Sequence, residues 1–159
     1  MLLINELKLT TPILGCKQVS GRPRQLLRDR EGRPGLVDAV WQKHFEQAAQ
    51  ELDITYSREM VTLPTGYEAG VFEEFLRSYS RFKKERFESI PKGQTIKFEC
   101  MLMDTMLAPS DFAKILSIVG TQFGLSQFGN RFGFGRFKVE LIKREKLVPQ
   151  LDIGVLDIT

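Results

Sequence analysis

Residues Gly120 to Val139 read GTQFGLSQFGNRFGFGRFKV, and no other stretch restricts the fold of this chain as tightly. Gly124, Gly129, Gly133 and Gly135 can each take a positive φ or let another backbone approach closely, so the segment predicts a turn-rich loop. Arg131, Arg136 and Lys138 bring positive charge to the same place, and Phe123, Phe128, Phe132, Phe134 and Phe137 bring rings. That mixture suits a nucleic-acid strand, with amides and cations on phosphates and rings on bases. A structural reading stands beside it, in which a glycine turn closes a helix–strand unit and the rings are buried. A Rossmann or P-loop site is excluded by order. Those glycines follow a strand and open a helix, whereas these follow a predicted helix and open a predicted strand.

A chain of 159 residues, 42% of them hydrophobic, fits one domain spanning 1–159 and can bury roughly 70% of the surface its unfolded form exposes. No apolar run approaches the roughly 18 residues a membrane helix needs, and Met1 to Thr11 is strand-like with Glu6 and Lys8 inside it. The expectation is a soluble cytoplasmic protein without a membrane partner. Cys16 and Cys100 form no C-x-x-C pair and there is a single histidine, so reduced thiols, no metal and no cofactor are expected. A net charge of +3 is small, which makes the placement of the 23 basic residues more telling than their sum.

Alternation of Leu7 and Leu9 with Glu6 and Lys8 predicts a first strand, ended by Pro12 and Gly15. From 17 to 35 the chain carries Arg22, Arg24, Arg28, Arg30 and Arg33 among prolines and glycines, which predicts a long exposed basic loop. Val37, Trp41, Phe45, Ala48 and Leu52 then form the buried stripe of a helix over 35–52. A weak strand is predicted at 59–63. Over 71–90, Phe72, Phe75, Leu76, Tyr79 and Phe82 mark the apolar side of a second helix, with Arg77, Arg81 and Lys84 on another face. Residues 94–103 alternate again, with Ile96, Phe98, Cys100 and Leu102 inward and Lys97, Glu99 and Met101 outward. The last helix is predicted to start at Ser110 as N-cap, to bury Phe112, Ile115, Leu116 and Val119, and to stop at Gly120. The glycine-rich loop covers 120–136. The closing strand then places Phe137, Val139 and Leu141 inward and Arg136, Lys138 and Glu140 outward, and 146–159 is a tail.

With the helix at 71–90 treated as an insertion, this order is βαββαβ, an α+β ferredoxin-like (RRM-like) fold with an antiparallel sheet, two helices on one face and the other face open. The outward positions are mainly charged, so cross-strand ion pairs compete with base stacking there. Phosphate contacts from the loops are the better reading.

Three stretches taken in order, LKLTTPILG, LLRDREGRPGL, and the run from KGQTIKFECML to GNRFGFGRFKV, resemble the RAMP superfamily of CRISPR ribonucleoprotein subunits. The resemblance covers most of the predicted core, leaving out 71–90 and the tail. It implies binding of single-stranded guide RNA alongside other ribonucleoprotein subunits, with self-association along the RNA. Gly129, Asn130, Arg131, Gly133, Gly135 and Arg136 occupy the superfamily's glycine loop and are implied to hold backbone phosphates, with Arg22, Arg24, Arg28, Arg30 and Lys138 as neighbouring cations. Arg28 and Asp29 match an RD pair, for which shaping the loop and touching RNA are both open. The residues before that pair are Arg22, Pro23, Arg24 and Gln25, without the aspartate that some target-cleaving members carry, so target cleavage is not expected.

Two alternatives stand beside RNA binding. Guide-processing ribonucleases of the superfamily often use a helix-borne histidine, which makes His44 the candidate general acid or base of a metal-independent endoribonuclease, with Tyr56, Lys43 and Lys17 as possible helpers. A partly buried structural histidine is the plainer outcome. The third class is an assembly protein, or an inhibitor acting on CRISPR machinery, that offers its aromatic face and the tail VPQLDIGVLDIT to a neighbour.

Overall fold

A computed structural model of the chain describes residues 1–28, 32–34, 38–62 and 78–145. In chain order the main elements are β1 (Leu2–Leu9), β2 (Ile13–Leu14), α1 (Asp38–Glu51), β3 (Val61–Thr62), β4 (Ser78–Phe82), β5 (Glu85–Ile90), β6 (Thr95–Leu102), α2 (Pro109–Ile118) and β7 (Phe137–Glu145). They make a mixed α+β structure with two antiparallel sheets, one in the order β3-β6-β1-β7 and a smaller one in the order β2-β5-β4. Among the described residues no helix is long and apolar enough to cross a membrane.

The period-two pattern decides which face of the larger sheet is buried. Leu3, Leu7 and Leu9 of β1 and Ile96, Phe98, Cys100 and Leu102 of β6 point into the core, while Lys97, Glu99 and Met101 point out, as the alternation predicts. Asn5 shares the inward face and spends its amide on the Phe98 carbonyl and the Cys100 sulfur, both at 3.4 Å. Trp41, Phe45 and Ala48 of α1 and Phe112, Ile115 and Leu116 of α2 are fully buried in the same core. Their rings interlock, Trp41 edge-on to Phe98 at 5.1 Å and Phe45 beside Phe112 at 6.0 Å. Leu52 is only half-buried, and Val37 lies outside the described residues.

The largest departure from expectation is at 71–90. No helix forms over the described part; β4 and β5 make a hairpin instead, paired from Ser78↔Ser89 to Phe82↔Glu85, while 71–77 lies outside the described residues. Lys83 and Lys84, at φ 49° and 64°, form its two-residue turn. Positive φ at both positions matches the twist of the flanking strands, which is why such turns close hairpins even without glycine or asparagine. Once paired, the segment obeys period two: Ser80, Phe82 and Phe87 share one face, Tyr79, Arg81, Arg86 and Glu88 the other.

Three smaller departures have equally local causes. The 59–63 strand shortens to the two residues of β3, because Arg58–Met60 forms a 3-10 turn, and Leu63 lies outside the described residues. Ser110 is not the cap of α2, which starts at Pro109, and Gly120 does not stop it: a π turn over Val119–Phe123 carries the chain on to Gly124 at φ 80°. Gly120 is small for packing reasons, since a Cβ there would stand 2.5 Å from the Phe137 carbonyl. Leu141 faces out. A bulge between Glu6 and Leu7 of β1 pairs Leu7 with Val139 but Glu6 with Leu141, so Leu141 joins the open face and Ile142, opposite Asn5, takes the inward place.

Candidate nucleic-acid interface

The glycine loop is braced from inside by several of the residues expected to hold phosphate. Asn130 clamps Ser126, donating from Nδ2 to its carbonyl at 2.6 Å and accepting from its amide at Oδ1 at 2.7 Å. Gly135 donates its N–H to the Pro12 carbonyl at 2.7 Å and accepts from Leu125 N–H at 2.9 Å. A Cβ on Gly135 would collide with the Ser126 amide nitrogen and lie 2.8 Å from that of Leu125. Gly129 is held almost as closely, with a Cβ there 2.9 Å from the Phe134 ring. The Arg136 guanidinium donates to carbonyls, to Thr121 at 2.7 Å and Asn130 at 3.3 Å, and so ties the middle of the π turn to the loop. For Gly129, Asn130, Gly135 and Arg136, these contacts build the turn.

Gly133 differs. It takes φ 94° with nothing within 4 Å of the place a Cβ would occupy, and its carbonyl accepts from Thr11 Oγ1 at 2.7 Å. The neighbouring Arg131 and Phe132 are exposed, Phe132 by 42%. The other rings turn inward: Phe137 is buried, Phe128 stacks on Phe87 at 5.0 Å and Phe134 meets Phe82 edge-on at 5.1 Å. Lys138 is exposed on the open sheet face, directly opposite Lys8. On that face Glu6 and Lys97 form the cross-strand pair expected of charged outward positions, at 3.5 Å.

Over its described residues, 17–28 and 32–34, the arginine loop is only partly the exposed segment its composition predicts. Lys17 and Gln25 exchange backbone hydrogen bonds, Leu26 is buried, and Arg24 pairs through its backbone with β5, donating to the Arg86 carbonyl and accepting from Glu88 N–H. Arg24 Nε makes an ion pair with Glu85, and its guanidinium lies 4.7 Å from the centre of the Phe128 ring. Arg28 grips Glu88 with two hydrogen bonds of 2.7 Å, and the Leu26 amide donates to the same carboxylate at 2.9 Å. Glu88 is only 4% exposed. Its hydrogen bonds raise the Arg28 pKa above the ordinary arginine value, against the opposing effect of burial. Arg24 and Arg28 therefore fasten the loop to β5, which favours the loop-shaping reading of Arg28. Arg22 is exposed; Asp29 and Arg30 lie outside the described residues.

Where the hairpin tip meets the glycine loop, an uncommitted cationic patch forms. Phe82 packs on Phe132 at 5.1 Å, Lys83 Nζ stands 4.1 Å from the centre of the Phe132 ring, and the Arg131 guanidinium 4.9 Å from it. An exposed ring flanked by two cations offers a base a stacking surface and its phosphates two charges. Lys83 was not among the expected site residues. The alternation S-Y-S-R-F and the doublet Lys83-Lys84 were its only sequence signals.

His44 is buried where α1 meets the glycine loop. It is 9% exposed, its Nδ1 lies 2.6 Å from the Gly124 carbonyl and its ring stacks on Phe123 at 5.5 Å. Burial lowers its pKa, Lys43 and Arg136 add to that, and the Gly124 hydrogen bond opposes it. A neutral imidazole donating from Nδ1 joins α1 to the start of the glycine loop. Tyr56 donates to Gln42 at 3.1 Å and packs beside Phe45. Among the described residues no cluster of metal-ligating side chains forms.

No protein-family model matches this chain, and no curated protein sequence matches it.

Proposed function

We propose that the protein binds single-stranded RNA without cutting it, as a ferredoxin-like subunit of a CRISPR-type ribonucleoprotein related to the RAMP superfamily. The strand order supports the fold part of this reading. With β4 and β5 set aside, β3-β6-β1-β7 with antiparallel neighbours is the arrangement that βαββαβ connectivity gives when both helices cover one face. The glycine loop then enters the edge strand β7, as the resemblance implies.

The observation that carries RNA binding is the Phe132 ring, exposed on the loop and flanked by Lys83 and Arg131. Few folding roles need two cations on one exposed ring, whereas a sequence-tolerant RNA contact needs both features. The test is fluorescence anisotropy with short single-stranded RNAs of unrelated sequence across a salt series. Affinity should fall log-linearly with salt, at a slope of about −0.7 for each phosphate contact. Lys83→Ala with Arg131→Ala should weaken all the RNAs alike and flatten the slope. A folded double variant with unchanged affinity and slope sinks the patch as the site. Sequencing RNA that copurifies from the source cell tests the ribonucleoprotein part: guide-like RNA of uniform length supports it, and none or a random mixture counts against it.

A further inference from the structure

We propose a second anion site, on the face of the hairpin away from the glycine loop, where the cleft between the arginine loop and β4–β5 holds a nucleotide by its phosphate through Arg22 and Arg86, with Arg81 beside them. The site is independent of the Phe132 patch. A free nucleotide and a nucleotide within a strand present the same chemistry to it.

Arg81 and Arg86 are directly opposite one another in the antiparallel pair, and both side chains are exposed on the same face. Like charges in that position repel and destabilise the pairing unless something else compensates. Among the described residues no carboxylate forms an ion pair with either of them. Arg86 is also oriented: its guanidinium lies 5.5 Å from the centre of the Tyr79 ring, two residues before Arg81 on the same face. A planar guanidinium held against a ring loses less freedom when it takes up a phosphate.

The cleft beside them has a volume of about 630 Å³ and is lined by Arg22, Gln25, Arg28, Tyr79, Arg86 and Glu88. That lies within the roughly 300–1,000 Å³ of small-molecule sites and is more than a bare phosphate fills. Glu88 does not cancel the charge of the lining, because Arg28 and the Leu26 amide already occupy its carboxylate. What is left over is Arg22 and Arg86, with Gln25 and the exposed Tyr79 to meet a sugar and a base. Arginine's fork favours phosphate oxygens over other partners for these cations.

The experiment titrates the full chain calorimetrically with AMP, adenosine and inorganic phosphate at low salt, and by anisotropy with a labelled single-stranded RNA. AMP should bind more tightly than phosphate, and adenosine should not bind measurably. Arg86→Ala should weaken AMP at least about tenfold, the loss of one charge-assisted contact. Arg22→Ala should weaken it too, and Tyr79→Phe should keep it. Lys83→Ala with Arg131→Ala should leave AMP affinity unchanged while weakening RNA, which separates this site from the patch. If AMP competes with RNA, or Arg86→Ala weakens RNA in addition, the nucleotide belongs to a strand. If AMP binds without either effect, the site takes free nucleotides, and the proposal stands even if the protein binds no RNA. Absence of AMP binding together with unchanged RNA affinity in Arg86→Ala overturns it. So does AMP binding that is equally tight in folded Arg22→Ala and Arg86→Ala variants.

Discussion

The arginine loop and the β4–β5 hairpin are both net positive and use their cations in opposite ways. Arg24 and Arg28 of the loop find Glu85 and Glu88 on β5, and their positive charge is spent on fixing a segment with little hydrophobic content of its own. Arg81 and Arg86 of the hairpin face each other across the ladder with no ion-paired carboxylate among the described residues, and Lys83 at its tip leans on an exposed ring. A run of arginines thus says little about binding until the acids that meet it are placed. In this chain the segment richest in arginine is partly consumed by the fold, and the segment with fewer cations leaves them available.

The largest expected effect tests the loop side of that contrast. Arg28→Ala would strand the buried Glu88 carboxylate and should cost about 3 kcal/mol of stability, the loss expected when one member of a buried ion pair is removed. Arg86→Ala should stay within about 0.5 kcal/mol of the parent, as exposed substitutions do. Urea unfolding of both variants measures the difference. Equal costs would break the distinction between consumed and available arginines.

The same contrast divides the glycines. Gly135→Ala drives a Cβ into the backbone of Ser126 and Leu125 at a φ of 74°, so it should cost about 2 kcal/mol or more and disorder the loop. Gly133→Ala meets open space and should cost only about 1 kcal/mol, from its positive φ. If RNA contacts the loop backbone, Gly133→Ala should lose RNA affinity out of proportion to its small loss of stability. Thermal melting and RNA titration of the two single variants separate the roles. An alanine at 133 that binds as tightly as the parent would leave that glycine to the turn alone.

What the sequence revealed and what it hid follow from how far apart the deciding residues lie. β1, α1, β6 and the buried residues of α2 were legible because each carries its own periodic pattern long enough to fix its buried face. The hairpin was hidden: Phe72, Phe75, Leu76, Tyr79 and Phe82 match a helical spacing, each paired strand is short, and Lys83-Lys84 is not the glycine or asparagine turn that marks a hairpin. The outward turn of Leu141 depends on a bulge set by pairing with Glu6, which no local pattern records. The glycine loop was legible as a loop. Which of its residues stay free was not, since Arg136 and Asn130 are engaged by carbonyls and amides whose places only the fold decides. Likewise, the acids that hold Arg24 and Arg28 lie about 60 residues further along.

His44 extends the comparison to a titrating group. Its pKa is lowered by burial, so below its unfolded value of about 6.5 the unfolded chain takes up a proton that the folded one resists. The stability tied to His44 is therefore present above about pH 6.5 and is lost as pH falls from there toward the lower folded value. Melting temperature followed from neutral to mildly acidic pH should drop more in the parent than in a folded His44→Gln variant. A parallel pair of curves would mean that the imidazole is charged in the folded state or reaches solvent.

The smallest expected effect has the opposite sign from the first and is for that reason the sharpest. Because Arg81 faces Arg86 and, among the described residues, no carboxylate pairs with either, Arg81→Glu replaces a repulsive cross-strand pair by an attractive one. Stability should rise, by about 0.2–1 kcal/mol, the range of such pairs. Anion binding should fall, since the new carboxylate occupies Arg86 as Glu88 already occupies Arg28. The loop arginine that the fold consumes cannot be removed without loss, whereas the hairpin arginine left available can be reversed in charge with gain. Urea unfolding at low salt, where the pair is least screened, reads the sign directly. A loss of stability in Arg81→Glu would show that the two hairpin arginines already have a partner that holds them together, and the contrast between the two regions would fail at the point where it is most specific.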